Sequence, residues 1–271
     1  TAVTSAFDVD YKFYSNERHA QVGVRIGNAE NIWVRRITSY HIDVAVTIAG
    51  GSRWITVQDV NCLEPVGGTG GERRYSFSNS GGTLVLNQRC YVRYTRHGFI
   101  VMGHVMGPNV FLNDRTEYQF DANEPHLRWS AGGLFDNVEG RIYVQNRWNN
   151  GTAHGWAGAN YTLWNYLFGQ SDAADRLPFV MDEVDPGNVP NFKAHEQSTG
   201  RAVLPKSLYL QQLEERLGAQ AVERTNDDRI PAWKDESKGF LDRFAYLTEI
   251  RVDGKPLPEF DREVLTYDVP V

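Results

Sequence analysis

The stretch TLVLNQRCYVRYTRHGFIVMGHVMGPNVFLNDR, residues 83–115, contains two runs of β-forming residues that end in polar side chains, VLNQR at 85 and FLNDR at 111. Their central asparagines, Asn87 and Asn113, lie 26 residues apart. A third run, FIVMG at 99, falls between them, and no amphipathic helical period separates the three. Branched and aromatic residues bounded by Gly, Asn and Asp are typical of short strands. The stretch therefore predicts a strand–corner–strand unit that repeats.

Runs of the same kind recur over the first 165 residues, at intervals of 23 to 29 residues. They are WVRRI at 33, TVQDV at 56, LFDNV at 134 and LWNYL at 163. A second strand pattern precedes most of these runs, for example RWSAGG at 128 before LFDNV and GWAGA at 155 before LWNYL. Glycine corners such as Gly50-Gly51 separate the two patterns. Such a period without intervening helices is typical of a solenoid of stacked turns. We therefore predict an all-β fold, a right-handed parallel β-helix; an antiparallel β-sandwich is the alternative.

The sequence changes character after the repeats and divides the chain into three parts. Residues 1–170 are predicted to form the β-helix, and residues 171–220 to form a linker and a capping helix that docks on the side or the end of the solenoid. In that helix Leu210, Leu213 and Leu217 share one face. Residues 221–271 are predicted to begin a β-sandwich-like region, with a turn at Asp253-Gly254.

Composition and charge exclude several classes of function. With 41% apolar and 23% charged residues, the chain is typical of a soluble globular protein. No apolar run is long enough to span a bilayer, and the net charge of −6 argues against nucleic acid as the partner. The two cysteines, Cys62 and Cys90, leave their pairing open. Thr1 is not an initiator methionine, so we expect a piece of a larger secreted protein, with an N-terminal segment of the same precursor as a possible partner.

When the repeats are placed in register, basic side chains fall at one position, just before the first strand of each turn. Four of the seven histidines lie there: His41, His97, His126 and His154. Successive turns are about 4.8 Å apart, so five turns would stack these residues into a column on the order of 20 Å long. Stacked cations repel one another, and the fold does not require them. We therefore predict that the column binds a negative or electron-rich ligand such as an oligosaccharide.

The candidate site residues follow from this column and its neighbourhood. We predict His97, His126, His154 and Glu124 as catalytic residues. The predicted substrate-binding residues are Arg74, Arg96, Arg128, Arg147, Trp129, Trp148, Trp156 and Asn160. Flat aromatic rings beside polar groups suit the C–H faces of sugars. By contrast, Trp33, Trp54 and Trp164 lie on the strand pattern and are predicted to be core residues.

Several motifs together resemble a family. GGERRYSF, QRCYVRYTRHGF, GPNVFLN, PHLRWSAGGLFDN and VQNRWNNGTAHGWAGAN resemble a secreted bacterial β-helix family of the pectate-lyase-like superfamily, over roughly residues 20–217. The resemblance implies an extracellular or periplasmic protein that acts on polysaccharides. The chain departs from the family pattern at Phe120 and Ala122, where the family has His and Asp, and at Leu127, where PHH becomes PHL. The resemblance therefore implies the fold more strongly than the reaction.

Three functions fit these residues. A polysaccharide lyase needs arginines to neutralise a uronate carboxylate and a base for the C5 proton, which the histidines would supply. A glycoside hydrolase needs two carboxylates, for which Glu124 with Asp121 or Glu72 are candidates. A carbohydrate-binding module needs only the basic and aromatic side chains. The sequence points to no cofactor and no catalytic metal; Asp8 with Asp10, or Asp182 with Asp185, could hold a structural calcium ion.

Overall fold

The computed structural model describes Glu17 and residues 19–165, 180–181, 204–225, 251–252 and 255–256. The chain forms a parallel β-solenoid of about six turns, which confirms the predicted fold class. The strands of the solenoid in chain order are β1 (Val22–Ile26), β2 (Glu30–Tyr40), β3 (Val44–Ile48), β4 (Arg53–Leu63), β5 (Tyr75–Asn79), β6 (Thr83–Gln88), β7 (Tyr91–Arg93), β8 (His97–Val101), β9 (Met106–Leu112), β10 (Arg115–Glu117), β11 (Glu124–Pro125), β12 (Ser130–Asp136), β13 (Tyr143–Val144), β14 (Gly158–Ala159) and β15 (Thr162–Trp164).

Two parallel sheets run along the solenoid. The first contains β1, β3, β5, β8 and β11 in that spatial order. The second has the order β10–β7–β4–β6–β9–β12–β14, and β2 and β15 also pair with it. Each turn thus contributes one strand to the first sheet, passes a corner, and continues along the second sheet.

The polar residues that end each repeat produce a sharp bend within the second sheet. At this bend one residue in each turn has a positive φ between 46° and 57°; Asn31, Trp54 and Leu84, near the starts of β2, β4 and β6, also have a positive φ. The bend residues are Arg36, Asp59, Arg89, Asn113, Asn137 and Asn165. Each directly follows a residue of one register ladder, which runs from Arg35 through Gln58 and Gln88 to Trp164. Asn and Asp tolerate this left-handed conformation better than most residues, which explains their recurrence in the sequence.

The sequence alignment of these runs was wrong by one or two residues in places. It equated Gln58 with Asn87 and Asn87 with Asn113, whereas Gln58 pairs with Gln88 and Asn87 pairs with Phe111. The run that ends at Asp59 and the run that ends at Arg89 both place their bend one residue after the glutamine. In these two turns the bend residue is charged, whereas in the last three turns it is an asparagine.

Turn five also differs from the prediction. RWSAGG and LFDNV were predicted as two strands in different sheets, but they form the single strand β12 of the second sheet. The strand of the first sheet in this turn is β11, which has only two residues, Glu124 and Pro125. GWAGA likewise contributes β14 to the second sheet. The short, proline-containing β11 has no hydrophobic alternation, so the sequence pattern missed it.

A column of aromatic rings fills the interior between the sheets. Phe77 stacks on Phe99 with ring centroids 5.1 Å apart, and Phe111 stacks on Phe135 at 4.7 Å. Phe99 and Phe111, at 5.8 Å, join the two pairs. Cys62 and Cys90 are also buried there, both as free thiols, and burial raises the pKa of Cys62 to about 11.

The C-terminal helices pack on the side of the solenoid. They are α2 (Leu208–Leu217) and α3 (Ala219–Thr225), which follow the short helical turn α1 (Asn150–Ala153). Asp136 in turn five accepts hydrogen bonds from Ser207 Oγ (2.7 Å) and the Tyr209 amide (2.8 Å) at the start of α2. At the end of α3, the Thr225 carbonyl accepts bonds from Gln88 and Arg89 in turn three, each at 2.7 Å. The helix pair therefore spans turns three to five along one face.

Little of the remaining C-terminal region lies within the described residues. Strand β16 (Val180–Met181) pairs with β13, and β17 (Arg251–Val252) pairs antiparallel with β18 (Lys255–Pro256). The predicted turn residues Asp253 and Gly254 lie outside the described residues. Most of the predicted linker, the β-sandwich-like region and the candidate calcium ligands Asp8, Asp10, Asp182 and Asp185 lie outside the described residues. Within the part that is described, no helix is both long and apolar enough to cross a membrane.

Phe111→Ala should strongly destabilise the solenoid because Phe111 contacts the ring of Phe99 across its own turn and stacks on Phe135 in the next turn. We expect the free energy of unfolding to fall by about 3–5 kcal/mol, the usual cost of removing a buried phenylalanine ring. Urea denaturation measures this change. Trp33→Ala is the matched control, since Trp33 is 65% exposed and its loss should change stability little; equal losses in both variants would contradict the assignment of the core.

Candidate active site

Three ionisable side chains meet beside strands β8 and β11 of the first sheet. His97 begins β8, Glu124 begins β11, and His126 directly follows β11. All three are buried, and one donor atom from each lies within 4.8 Å of the others. We call His97, Glu124 and His126 the His–Glu–His cluster.

A chain of hydrogen bonds passes through this cluster. Tyr75 Oη lies 3.1 Å from His126 Nε2, and His126 Nδ1 lies 2.5 Å from Glu124 Oε1. The second carboxylate oxygen, Oε2, accepts a bond of 3.0 Å from the Gln145 side-chain amide. The connection can carry a proton between the Tyr75 hydroxyl and the buried carboxylate, with the imidazole between them.

An arginine from the sixth turn closes the cluster. Arg147 Nη1 lies 2.6 Å from His126 Nδ1, 3.2 Å from Glu124 Oε1 and 2.9 Å from the His126 carbonyl oxygen. The Arg147 side chain is 14% exposed, so it lies at the boundary between the cluster and solvent. Its guanidinium compensates the charge of Glu124.

His97 bridges two carboxylates. Its Nδ1 lies 2.6 Å from the Ala122 carbonyl oxygen and 3.5 Å from Glu124 Oε1, while Nε2 lies 3.5 Å from Asp121 Oδ2. Because a carbonyl oxygen can only accept, Nδ1 carries the proton and the lone pair is on Nε2. Asp121 is 33% exposed and also lies 3.7 Å from Arg96 Nε, so this carboxylate connects the cluster to the surface.

Burial dominates the ionisation of these groups. It raises the pKa of Glu124 to about 7 and that of Tyr75 to about 12, and lowers the pKa of His126 to about 3. Burial also lowers the pKa of His97. The imidazoles are therefore neutral at pH 7, and neutral imidazole is the form that accepts a proton in catalysis. The predicted cationic column is in this respect wrong, since burial disfavours the charged form.

The histidine column itself is present for three of its four members. The rings of His97 and His126 are 5.0 Å apart, and those of His126 and His154 are 5.2 Å apart. Their positions in the repeat differ, however, because His97 pairs with Tyr75 whereas His126 follows Pro125, which pairs with Val101.

His41, the fourth predicted member, has a different environment. It is buried after β2, and its ring lies 4.0 Å from that of Tyr40. Burial lowers its pKa to about 4. We assign it to the packing of the lower turns.

The four predicted arginines have different roles. Arg74 is fully buried, and its guanidinium donates to the carbonyl oxygens of Gly67 (2.9 Å) and Tyr94 (3.0 Å), which is the geometry of a structural residue. Arg128 is held by the carbonyl oxygens of α1 at Thr152 and Ala153.

Arg96 and Arg147 are the predicted arginines that contact the hydrogen-bonded chain. Arg96 lies over the Tyr75 ring at 5.7 Å, with Nη1 3.5 Å from the hydroxyl. Arg147 contacts Glu124 and His126 as described above. These two arginines therefore set the charge around the Tyr75 hydroxyl and the carboxylate.

The three predicted tryptophans of the binding site and Asn160 differ in their exposure to solvent. Trp129 and Trp148 are 69% and 39% exposed and Trp156 is half-buried, while Asn160 is exposed beside β14. All four lie in turns five and six, on the side where His154 ends the column, so they remain candidates for ligand contact.

The prediction that Trp33, Trp54 and Trp164 are core residues was wrong for the first two. Trp33 is 65% and Trp54 47% exposed, each with an arginine side chain over its ring. Their side chains point away from the interior at or near a corner, where the strand alternation does not predict burial. Trp164 is half-buried and donates to the Pro205 carbonyl oxygen at 2.8 Å.

A depression of about 140 Å³ lies beside the cluster, on the first sheet. Its lining residues are Val22, Arg25, Val44, Thr47, Glu72, Tyr75, Ser78, Ser80 and Met102. Tyr75 belongs both to this lining and to the hydrogen-bonded chain. It is therefore the residue through which a ligand in the depression would contact the cluster.

Sequence reasoning missed two members of the site. Neither Tyr75 nor Gln145 was among the predicted site residues. The pairing of Tyr75 with His97 follows from aligning YSFS with HGFIV, so Tyr75 was accessible from the pattern. Gln145 lies in an irregular turn that no repeat places.

The sequence also singled out no transition-metal site, yet the His–Glu–His cluster combines two imidazoles and a carboxylate. This donor set is one that zinc accepts. The depression and the cluster, taken together, can bind a polar ligand and transfer a proton to or from it.

The chain matches no protein-family model, no curated protein and no solved structure at a significant level. The geometry of the site is therefore the basis of the functional proposal.

The burial of His41 predicts a loss of stability in acid. Its pKa is lowered from about 6.5 to about 4 in the folded protein, so the unfolded chain binds the proton first. The stabilisation is complete above pH 6.5 and is lost as the pH falls towards 4, by about 1.4 kcal/mol for each pKa unit. His126 contributes in the same direction.

We expect His41→Gln to make the free energy of unfolding less dependent on pH between 6.5 and 4 than in the unmodified protein. Urea denaturation at several pH values measures this slope. His104→Gln is the control, since His104 lies outside the buried set. Parallel curves for His41→Gln and the unmodified protein would contradict the prediction.

Proposed function

We propose that the protein cleaves an acidic polysaccharide by β-elimination, with Tyr75, His126 and Glu124 as its acid–base chain. The observation that carries the proposal is this chain, which connects the hydroxyl of Tyr75, a residue that lines the depression, to a buried carboxylate through one imidazole. The resemblance to the pectate-lyase-like superfamily supports the same class of substrate. Since polysaccharides of this kind occur outside the cytoplasm, the proposal includes a secreted or periplasmic location.

During the proposed reaction, protons pass along the hydrogen-bonded residues Tyr75, His126 and Glu124 in both directions. Tyr75 Oη gives its proton to His126 Nε2 while His126 Nδ1 passes its own proton to Glu124 Oε1, and Tyr75 takes the proton from C5 of the uronate. The electron pair of the C5–H bond forms the C4–C5 double bond, and the C4–O bond breaks. Tyr75 then donates its proton to the leaving oxygen, and His126 returns the first proton to Tyr75. The products are an unsaturated uronide and a new chain end.

Arg96 supplies the positive charge that the elimination requires. A uronate carboxylate makes its C5 proton more acidic only when its own charge is neutralised. Arg96 lies over the ring of Tyr75, so a carboxylate that binds Arg96 brings C5 close to the Tyr75 hydroxyl. His154, Trp148 and Trp156 would bind sugars further along the chain.

A glycoside hydrolase is the second candidate because His97 lies between two carboxylates, each 3.5 Å from one of its nitrogens. In this case Glu124, whose pKa is raised to about 7, would act as the general acid and Asp121 as the base. A carbohydrate-binding module is the third candidate. It uses the same groove, but the buried proton-transfer chain would then have no role.

Tyr75→Phe tests the lyase mechanism directly because it removes one oxygen and leaves the packing of the ring in place. We expect kcat/KM to fall by about 10²–10⁴-fold, the usual contribution of a positioned acid–base group. Tyr118→Phe is the matched control, since Tyr118 stacks on Tyr94 away from the cluster. Full activity in Tyr75→Phe would exclude Tyr75 as the base.

A panel of uronate-containing and neutral polysaccharides distinguishes the three candidates. We expect ultraviolet absorbance from unsaturated products and reducing ends to increase together on an acidic polysaccharide. Reducing ends without ultraviolet absorbance would favour the hydrolase and would assign the role of general base to Asp121. Binding without either signal would favour the carbohydrate-binding module.

A further inference from the structure

The second atom of each side chain in the His–Glu–His cluster is already held by a hydrogen bond. His97 Nδ1 bonds the Ala122 carbonyl oxygen at 2.6 Å, and His126 Nε2 lies 3.1 Å from Tyr75 Oη. Glu124 Oε2 accepts from Gln145 at 3.0 Å. Metal-binding histidines and carboxylates are usually fixed in this way by outer partners, which leave one donor atom of each ligand for the ion.

One of the remaining donor atoms, His97 Nε2, lacks an ordinary partner, whereas His126 Nδ1 and Glu124 Oε1 contact each other and Arg147. His97 Nε2 is fully buried and makes no hydrogen bond within the described part of the chain. Its nearest acceptor, Asp121 Oδ2, is 3.5 Å away; two ligands of one tetrahedral zinc ion are separated by about 3.3 Å. A buried lone pair without a partner is costly. An ion bound there would satisfy it.

The side chain of Arg147 already places a positive charge among these atoms. Its Nη1 lies 2.6 Å from His126 Nδ1 and 3.2 Å from Glu124 Oε1. His126 Nδ1 donates its proton to the carboxylate oxygen across their contact of 2.5 Å, and the guanidinium adds a positive charge beside that carboxylate. The Arg147 side chain is 14% exposed and therefore reaches solvent from the edge of the cluster.

We propose that His97, Glu124 and His126 bind a zinc-like transition-metal ion in exchange for the guanidinium of Arg147. Two imidazoles and one carboxylate are a ligand set that Zn²⁺ accepts, with the solvent-facing Asp121 as a further oxygen donor. Mg²⁺ and Ca²⁺ prefer oxygen ligands and should bind weakly. The ion takes the place of a proton on His126 Nδ1.

The exchange would regulate the proposed reaction. A metal-bound His126 cannot accept the proton of Tyr75 and cannot be supported by Glu124, so Zn²⁺ inhibits the elimination. This part of the inference rests on the proposed function, whereas binding of the ion does not. Measuring the two separately distinguishes failure of the metal site from failure of the proposed enzyme.

Equilibrium dialysis of the purified full chain with Zn²⁺, followed by metal analysis, tests the site. We expect one bound ion, lost in Glu124→Gln and in His97→Gln. Arg147→Met should bind Zn²⁺ at least about tenfold more tightly because a competing positive charge has been removed, while Arg147→Lys should stay close to the unmodified protein. Arg128→Met and His154→Gln are the controls, since both residues lie near the cluster without belonging to its three donors.

Several results would overturn the proposal. One is Zn²⁺ binding that is unchanged in Glu124→Gln and His97→Gln, because the ion would then lie elsewhere. Another is unchanged or weaker Zn²⁺ binding in Arg147→Met. This second test remains available if the variants of the buried ligands do not fold. Absence of binding in both the unmodified protein and Arg147→Met would exclude the site, whatever the polysaccharide panel gives.

Discussion

The left-handed bend in the second sheet is the constraint on which the rest of the structure depends. Each turn must change direction within a few residues, and a residue at positive φ forms this bend at the same register position in six successive turns. Because the bends stack, the strands on either side remain in parallel register and the aromatic interior is continuous. The same register fixes the height of Tyr75 beneath His97, and therefore the position of the whole acid–base chain.

The site combines two environments that the solenoid provides side by side. Glu124 is nearly inaccessible to solvent, which raises its pKa, while the depression next to Tyr75 is open. The imidazole of His126 connects the two. A carboxylate that is held away from water but compensated by Arg147 can stabilise charge during a reaction at little reorganisation cost. An exposed carboxylate would be screened and would contribute less.

The repeat was predictable because it follows from local rules: β-forming runs, polar bends and glycine corners at a constant interval. The proximity of His97, His126 and His154 was predicted for a reason that does not hold, since His97 and His126 occupy different positions in the repeat. The short strand β11, the role of Gln145 and the inward position of Arg74 were not predictable, because each depends on how irregular segments pack between turns. Trp33 shows the same limit, since the pattern of a strand does not reveal which of its faces remains uncovered.

The lateral helix pair has a consequence for how the molecule unfolds. In a simple solenoid each turn contacts only its neighbours, so turns can detach from one end in succession. Here the bonds from Asp136 to the start of α2 and from Gln88 and Arg89 to the end of α3 connect turn five directly to turn three. Loss of one of these turns therefore breaks contacts of the other, and the portion that carries the site behaves as one cooperative unit rather than as a stack of independent layers.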